Sequence, residues 1–251
     1  MIGVNYPGFG ISFHLPELTH ENVERNVFVW ALMENLGLSE NIIFMGHSRG
    51  SENALKLSAR NPHKTVGTVL VNAPGLRIHR GIRSFSVIEF LNNTYERYPA
   101  LRGPLHYIMH KYYNKIGLRT ASGRVAMNSI KTMANISLHG QGPYQQMINE
   151  KKHIRVLFVY AGNDFLIEEQ ISREFSSQFK KRTHLICKTF DPDEQQQAAA
   201  NAEMRKAFLS DGRRTVTCEF VPDGHFLQKF RVGFISDAIV SMLQAARKYK
   251  K

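Results

Sequence analysis

Three residues far apart in the chain have the types that nucleophilic catalysis needs: Ser48, Asp164 and His225. A serine hydroxyl attacks well only when a base removes its proton and a third group holds that base in one tautomer. Ser48 sits in Gly46-His47-Ser48-Arg49-Gly50, between an apolar run ending at Met45 and a segment of helical spacing from about Arg49. This is the G-x-S-x-G turn in the strand-to-helix context it requires. The turn is strained, and Gly46 and Gly50 are expected to be small so that strand and helix can pack closely. It also aims the N–H of Arg49 at the space in front of Ser48, one donor for a developing oxyanion. His47 should leave the turn in another direction and is not expected to act as base.

Asp164 ends the sequence Ala161-Gly162-Asn163-Asp164, just beyond an apolar run, where a loop at the C-terminal edge of a sheet would present a carboxylate. Its ordinary alternative is to cap a helix starting near Ile167. His225, in Pro222-Asp223-Gly224-His225-Phe226, follows the last apolar run. The order Ser, Asp, His, each after a different strand, matches a triad mounted on one sheet edge. Asp223 is the poorer acid, because its closeness to His225 in sequence makes the side-chain geometry awkward.

Other groups could carry chemistry but fit less well. His106 and His110 have the i, i+4 spacing of two ligands on a helix, yet the segment lacks the glutamate of H-E-x-x-H, and no metal site is expected. Aromatic and methionine side chains from Phe85 to Met133, among them Phe90, Tyr95, Tyr107, Met109, Tyr112, Tyr113 and Met127, could line an acyl pocket. The commoner reason for such a set is the packing of a helical segment's own core.

The elements that must position these residues follow from periodicity. Runs at 1–6, 41–45, 65–71, 155–160 and 216–221 read as strands, most of them continuous apolar stretches of the kind buried on both faces. Helical spacing falls between them: Val23, Val27, Trp30 and Ala31 up to Gly37, then 49 to Pro62, 167–180, and Ile235, Ile239, Met242, Leu243 and Ala246. Alternation of this kind predicts an α/β fold with a mostly parallel sheet and flanking helices. Residues 78–150, basic and aromatic-rich, read as an inserted helical lid between core segments 1–77 and 151–251. Residues 191–214, with Gln195-Gln196-Gln197-Ala198-Ala199-Ala200, read as a partly helical surface insertion.

At 251 residues and 43% hydrophobic, the chain can bury one sizeable core. Cys187 and Cys218 have no C-x-x-C partner, so neither a disulfide framework nor structural zinc is indicated. No apolar run is long enough to span a membrane and no signal peptide is evident, so a cytoplasmic location is expected. The net charge of +12 favours encounter with anionic surfaces. Residues 78–150 carry nine Lys and Arg against three Glu, half of that excess. An anionic membrane surface is a candidate partner; no nucleic-acid motif accompanies the charge.

Asn5-Tyr6-Pro7-Gly8-Phe9-Gly10, Gly46 to Gly50, Ala161 to Asp164 and Asp223-Gly224-His225-Phe226-Leu227-Gln228-Lys229 resemble the α/β-hydrolase superfamily, and within it an uncharacterised family found mostly in nematodes. The likeness runs nearly end to end. It implies catalysis by Ser48, Asp164 and His225, a lid after the sixth strand, and no cofactor. A serine at the elbow implies hydrolysis of an ester, thioester or amide, with a small-molecule ester or acyl compound as substrate. The resemblance also implies three strands ahead of the one expected at 1–6, and a second oxyanion donor on the loop after the third. The sequence as given is therefore expected to be N-terminally truncated. The alternative that follows is an impaired, binding-only protein with half an oxyanion hole.

Overall fold

The computed structural model describes the chain apart from residues 16, 190–193, 211–213 and 250–251. Its residues fall into two compact units, one of 37–81 with 137–251 and the other of 1–36 with 82–136.

The larger unit is built on a five-stranded sheet of β1 (Ile42–His47), β2 (Thr65–Val71), β3 (Arg155–Ala161), β4 (Arg182–Cys187) and β5 (Thr215–Phe220). The order is β1-β2-β3-β5-β4 and every pairing is parallel. All five strands therefore end at the same edge. Successive side chains face opposite ways, and both faces are covered. Leu157 and Val159 join Val69, Val216 and Cys218 in a core completed by α8 (Glu194–Leu209) and α9 (Val232–Tyr249). Phe158 and Tyr160 point to the other face, where the ring of Phe158 meets Phe175 of α7 (Glu169–Ser177) at 5.5 Å. On that side too, α2 (Arg49–Arg60) packs on β1 and β2 and is joined by α6 (Gln141–Glu150). Three amides of α6 fix it in this unit: Gln141 Nε2 donates to the Gly75 carbonyl, Gln145 Nε2 to Phe175 and Asn149 Nδ2 to Gln178.

The second unit is helical among its described residues. It contains α1 (Asn22–Asn35), α3 (Phe85–Arg97), α4 (Arg102–Lys115) and α5 (Gly123–Ala134). Met109, Tyr113, Ala126, Met127 and Ile130 form its core, with Ile88, Leu91 and Tyr95 against them. A Cβ on Gly123 would stand 2.2 Å from the His106 carbonyl oxygen, so only glycine lets α4 and α5 approach this closely. The carboxylate of Glu24 accepts from the amides of Thr19 and His20 and closes the start of α1.

Five features differ from expectation. Residues 1–6 form no strand: they belong to the unit that lacks a sheet, and a strand without a ladder partner does not persist. On α1 the buried side chains are Asn22, Asn26, Val29 and Met33, while Val23 and Val27 are exposed, so the helical spacing was right and the face was not. β4 was not expected at all. Its alternating Thr183, Leu185 and Cys187 face inward on an edge strand, where a continuous apolar run is not needed. Within 191–214, α8 buries Met204, Ala207 and Phe208 in the main core, so this part of the segment packs beneath the surface; residues 191–193 and 211–213 lie outside the described residues. The segment 78–150 is largely helical, as its spacing implied, but divides: 82–136 sit with 1–36, and α6 sits with the sheet.

Candidate active site

Ser48 stands between the end of β1 and the start of α2 with φ 52° and ψ −126°, a conformation that costs a non-glycine residue on the order of 1–3 kcal/mol. Its neighbours hold it there. The Ser48 amide donates to the Val71 carbonyl at 2.8 Å, extending the β1–β2 ladder into the turn, and Ser51 Oγ donates back to the Gly46 carbonyl at 2.8 Å. A Cβ on Gly46 would lie 2.3 Å from the Gly50 carbonyl oxygen, which accounts for that glycine. Gly50 is different: a Cβ there would meet nothing within 4 Å, so the expectation that both glycines are needed for packing holds only for the first. Arg49 opens α2, in the first turn whose amides helical bonding leaves to other acceptors. Its side chain pairs with the fully buried Glu52, which also receives Lys56 Nζ at 2.6 Å.

Asp164 lies three residues past β3, and its carboxylate does two things. Oδ1 accepts from the amides of Leu166 at 2.7 Å and Ile167 at 3.1 Å; Oδ2 accepts from Nδ1 of His225 at 2.8 Å. The cap and the partner of histidine, which the sequence offers as alternatives, are the same group. Both side chains of the pair are almost wholly buried, His225 at 3% and Asp164 at 2% exposure. Because Nδ1 faces a carboxylate, it carries the ring proton and leaves Nε2 as an acceptor. The imidazole is held edge-on by Phe165 at 5.8 Å and Phe226 at 5.3 Å. No hydrogen bond joins Ser48 Oγ to His225 Nε2 among the described residues. Such bonds are often long in ligand-free enzymes and tighten around a substrate.

The backbone of His225 is fixed as firmly as its ring. Its carbonyl accepts from His47 Nε2 at 2.7 Å and from Asn72 Nδ2 at 2.7 Å, and the two imidazoles lie 4.9 Å apart. Asn72 follows β2 with φ 45°, and its Oδ1 accepts from the Ala161 amide at 2.9 Å. One amide side chain thus ties together the ends of β2 and β3 and the loop after β5. Burial pushes the His47 imidazole down to about 4, against a smaller opposing effect of its bond to the His225 carbonyl, so at neutral pH it is uncharged. His79 is also pushed down by burial; its Nδ1 lies 3.0 Å from the Leu166 carbonyl, behind the Asp164 loop. Sequence reading passed over Asn72 and His79, since neither lies in a motif. The turn signal Asn72-Ala73-Pro74-Gly75 after β2 was the one available pointer.

The remaining candidates have other partners. Asp223 is bound twice by Arg231, through Nε and an amino nitrogen, both at 2.8 Å and both buried, and so is committed away from His225. His106 Nε2 lies 2.9 Å from the Tyr95 hydroxyl, and His110 Nδ1 lies 3.1 Å from Thr120 Oγ1. No group of three or more potential ligands for a metal occurs among the described residues. Of the aromatic and methionine side chains between Phe85 and Met133, Tyr95, Met109, Tyr113 and Met127 pack in the helical unit's own core, whereas Phe90, Tyr107 and Tyr112 are exposed.

A parallel sheet flanked by helices, with a strained serine turn after one strand and a buried His–Asp pair on loops after two others, is the architecture of an α/β hydrolase. The chain belongs to a family described as alpha/beta hydrolase of unknown function (DUF1057), whose model matches residues 1–244. It is 34% identical over 254 residues to a Caenorhabditis elegans protein, Uncharacterized protein F35H12.5, covering 98% of this chain and 70% of that one. Among solved structures it is similar to a putative lipase from Acinetobacter baumannii, at TM-score 0.57 and 14% identity over 97% of this chain and 74% of the other. It is also similar to the enol-lactonase from Burkholderia xenovorans, at TM-score 0.57 and 13% identity, covering 95% and 78% of the two chains. For the monoacylglycerol lipase of Paleococcus ferrophilus the values are 0.52, 16%, 96% and 81%. At such identities these likenesses speak to the fold.

Proposed function

We propose that this protein is a serine hydrolase acting on an ester, with Ser48 as nucleophile, His225 as general base and Asp164 as the acid that orients it. The observation that carries this reading is the 2.8 Å contact between His225 Nδ1 and Asp164 Oδ2, buried at the sheet edge that also bears the strained Ser48. With Nδ1 protonated, Nε2 takes the proton of Ser48 as Oγ adds to the ester carbonyl. The oxygen that becomes negative is met by the Arg49 N–H. Collapse of the tetrahedral species expels the alcohol, which receives its proton from His225 and leaves an acyl group on Ser48. Water, activated by the same imidazole, releases the acid and restores the hydroxyl. The Asp164 carboxylate holds the imidazole in this tautomer and offsets the charge of the transient imidazolium. No cofactor enters this scheme.

A fluorophosphonate probe tests the reading directly. The folded wild-type chain should be labelled at Ser48, and Ser48→Ala should not; a folded wild type that takes up no label overturns it. The open Ser48 Oγ–His225 Nε2 contact favours one other reading, a protein that holds an acyl ligand without turning it over. In that case ligand would raise the melting temperature, while Ser48→Ala and wild type would release product equally slowly.

A further inference from the structure

We propose that the outward face of α4 is a docking surface for an anionic lipid bilayer. The helix has two faces of different character. Leu105, Met109 and Tyr113 turn into the core of the helical unit. Tyr107, Ile108, Lys111, Tyr112 and Lys115 recur at i, i+1, i+4, i+5 and i+8, and form one contiguous stripe on the opposite side. All five are exposed, Tyr107 at 68%, Ile108 at 56% and Tyr112 at 53%. A stripe of this length would ordinarily alternate polar residues against water. Here Tyr107 and Ile108 fill its N-terminal end and Tyr112 stands between Lys111 and Lys115, and Lys111 Nζ rests 5.7 Å from the centre of the Tyr107 ring. Aromatic rings with a polar tip, and lysines with long apolar stems, are the side chains that settle at the boundary between headgroups and acyl chains.

Charge decides which occupant fits. From Arg97 to Asn149 the chain has seven Lys and Arg and no Asp or Glu. A second copy of this chain would bring the same cations against Lys111 and Lys115, and no carboxylate of this segment could meet them. A nucleic acid would satisfy the lysines but has no use for an Ile108 exposed on the same stripe. A bilayer bearing anionic headgroups offers both partners, phosphate or carboxylate for the ammonium groups and an apolar layer for Ile108 and the rings. The proposal does not depend on any chemistry at Ser48.

Co-sedimentation of the whole chain with vesicles is the test. Wild type should bind vesicles of phosphatidylcholine with phosphatidylserine at least about 10-fold more tightly than phosphatidylcholine alone, and lose that binding as salt rises. Lys111→Glu with Lys115→Glu, and separately Tyr107→Ser with Ile108→Ser, should each weaken binding by on the order of 10-fold or more, with circular dichroism unchanged because all four side chains face solvent. Ser48→Ala should bind as wild type does, whichever way the hydrolase reading falls. Undiminished binding in both double variants would overturn the proposal. So would equal affinity for neutral vesicles, a dimer in solution that the Tyr107 and Ile108 changes dissolve, or a preference for duplex over the charged vesicles.

Discussion

Asn72 Nδ2 donates to the carbonyl oxygen of His225 at 2.7 Å while its Oδ1 accepts from the Ala161 amide, so one side chain ties the backbone of His225 to the end of β3. Replacing it separates these two jobs. Asn72→Asp keeps an acceptor for Ala161 but puts an anion against the His225 carbonyl, and should slow fluorophosphonate labelling of Ser48 by roughly 10- to 100-fold through misplaced geometry. Asn72→Ala loses both bonds and puts alanine at φ 45°, and should cost about 2–4 kcal/mol of stability as well. Urea unfolding and labelling rates, measured on the same samples, distinguish the two. Equal labelling rates in the Asn72→Asp variant and the wild type would remove Asn72 from the positioning of the base.

The Asp164–His225 contact makes a sharper prediction. In Asp164→Asn the remaining oxygen can still cap Leu166 and Ile167, so the fold should lose little, about 1–2 kcal/mol. The amide nitrogen would then face Nδ1 and drive the ring proton to Nε2, the wrong tautomer for accepting from Ser48. Hydrolysis of an activated ester should fall by on the order of 10⁴-fold. A fall of less than about 10-fold in a folded variant would count against Asp164 as the acid.

What could be read from sequence followed the physics of each element. β2 and β3 announce themselves because strands inside the sheet, covered on both faces, favour apolar runs, β1 reads as a strand from Ile42, Ile43 and Phe44, and β5 from Val216, Cys218 and Phe220 at every second position; the serine turn, Asp164 and His225 are legible as the residues that follow β1, β3 and β5. β4 hides because Arg182, Thr183 and His184 leave its first half without an apolar run, although Thr183 and Cys187 are buried. The face of α1 was misread because Asn22 and Asn26 are buried while Val23 and Val27 are not, an inversion that hydropathy alone cannot reveal. Asn72 was invisible for another reason. Its part is played through two backbone groups, Ala161 N–H and His225 C=O, that are 64 residues apart in the chain.

The two glycines of the elbow should behave differently. Gly46→Ala would drive a methyl to 2.3 Å from the Gly50 carbonyl, and either strand or helix must yield; a loss of about 1–3 kcal/mol is expected, with the serine turn displaced and labelling reduced. Gly50→Ala enters open space inside the first turn of α2, where alanine is favoured over glycine by about 0.5–1 kcal/mol, so stability should hold or rise. Thermal melts of the two variants decide this, and equal destabilisation would contradict the geometry.

His47 gives the site a pH signature. Burial lowers its folded-state value from 6.5 to about 4, so between those two values the unfolded chain binds a proton that the folded chain does not. Stability must then rise with pH across that window: the contribution is complete above 6.5 and disappears as the pH falls toward 4, a loss of about 3 kcal/mol over the full span and about 2 kcal/mol by pH 5. Gln at this position keeps a donor for the His225 carbonyl but cannot titrate. His47→Gln should therefore show a smaller drop in unfolding free energy between about pH 7.5 and pH 5 than wild type does, by about 2 kcal/mol. Denaturant titrations at the two pH values measure it. A drop of equal size in both proteins would mean that the imidazole is not held neutral by burial, and that the carbonyl of His225 is gripped by a group able to take up charge.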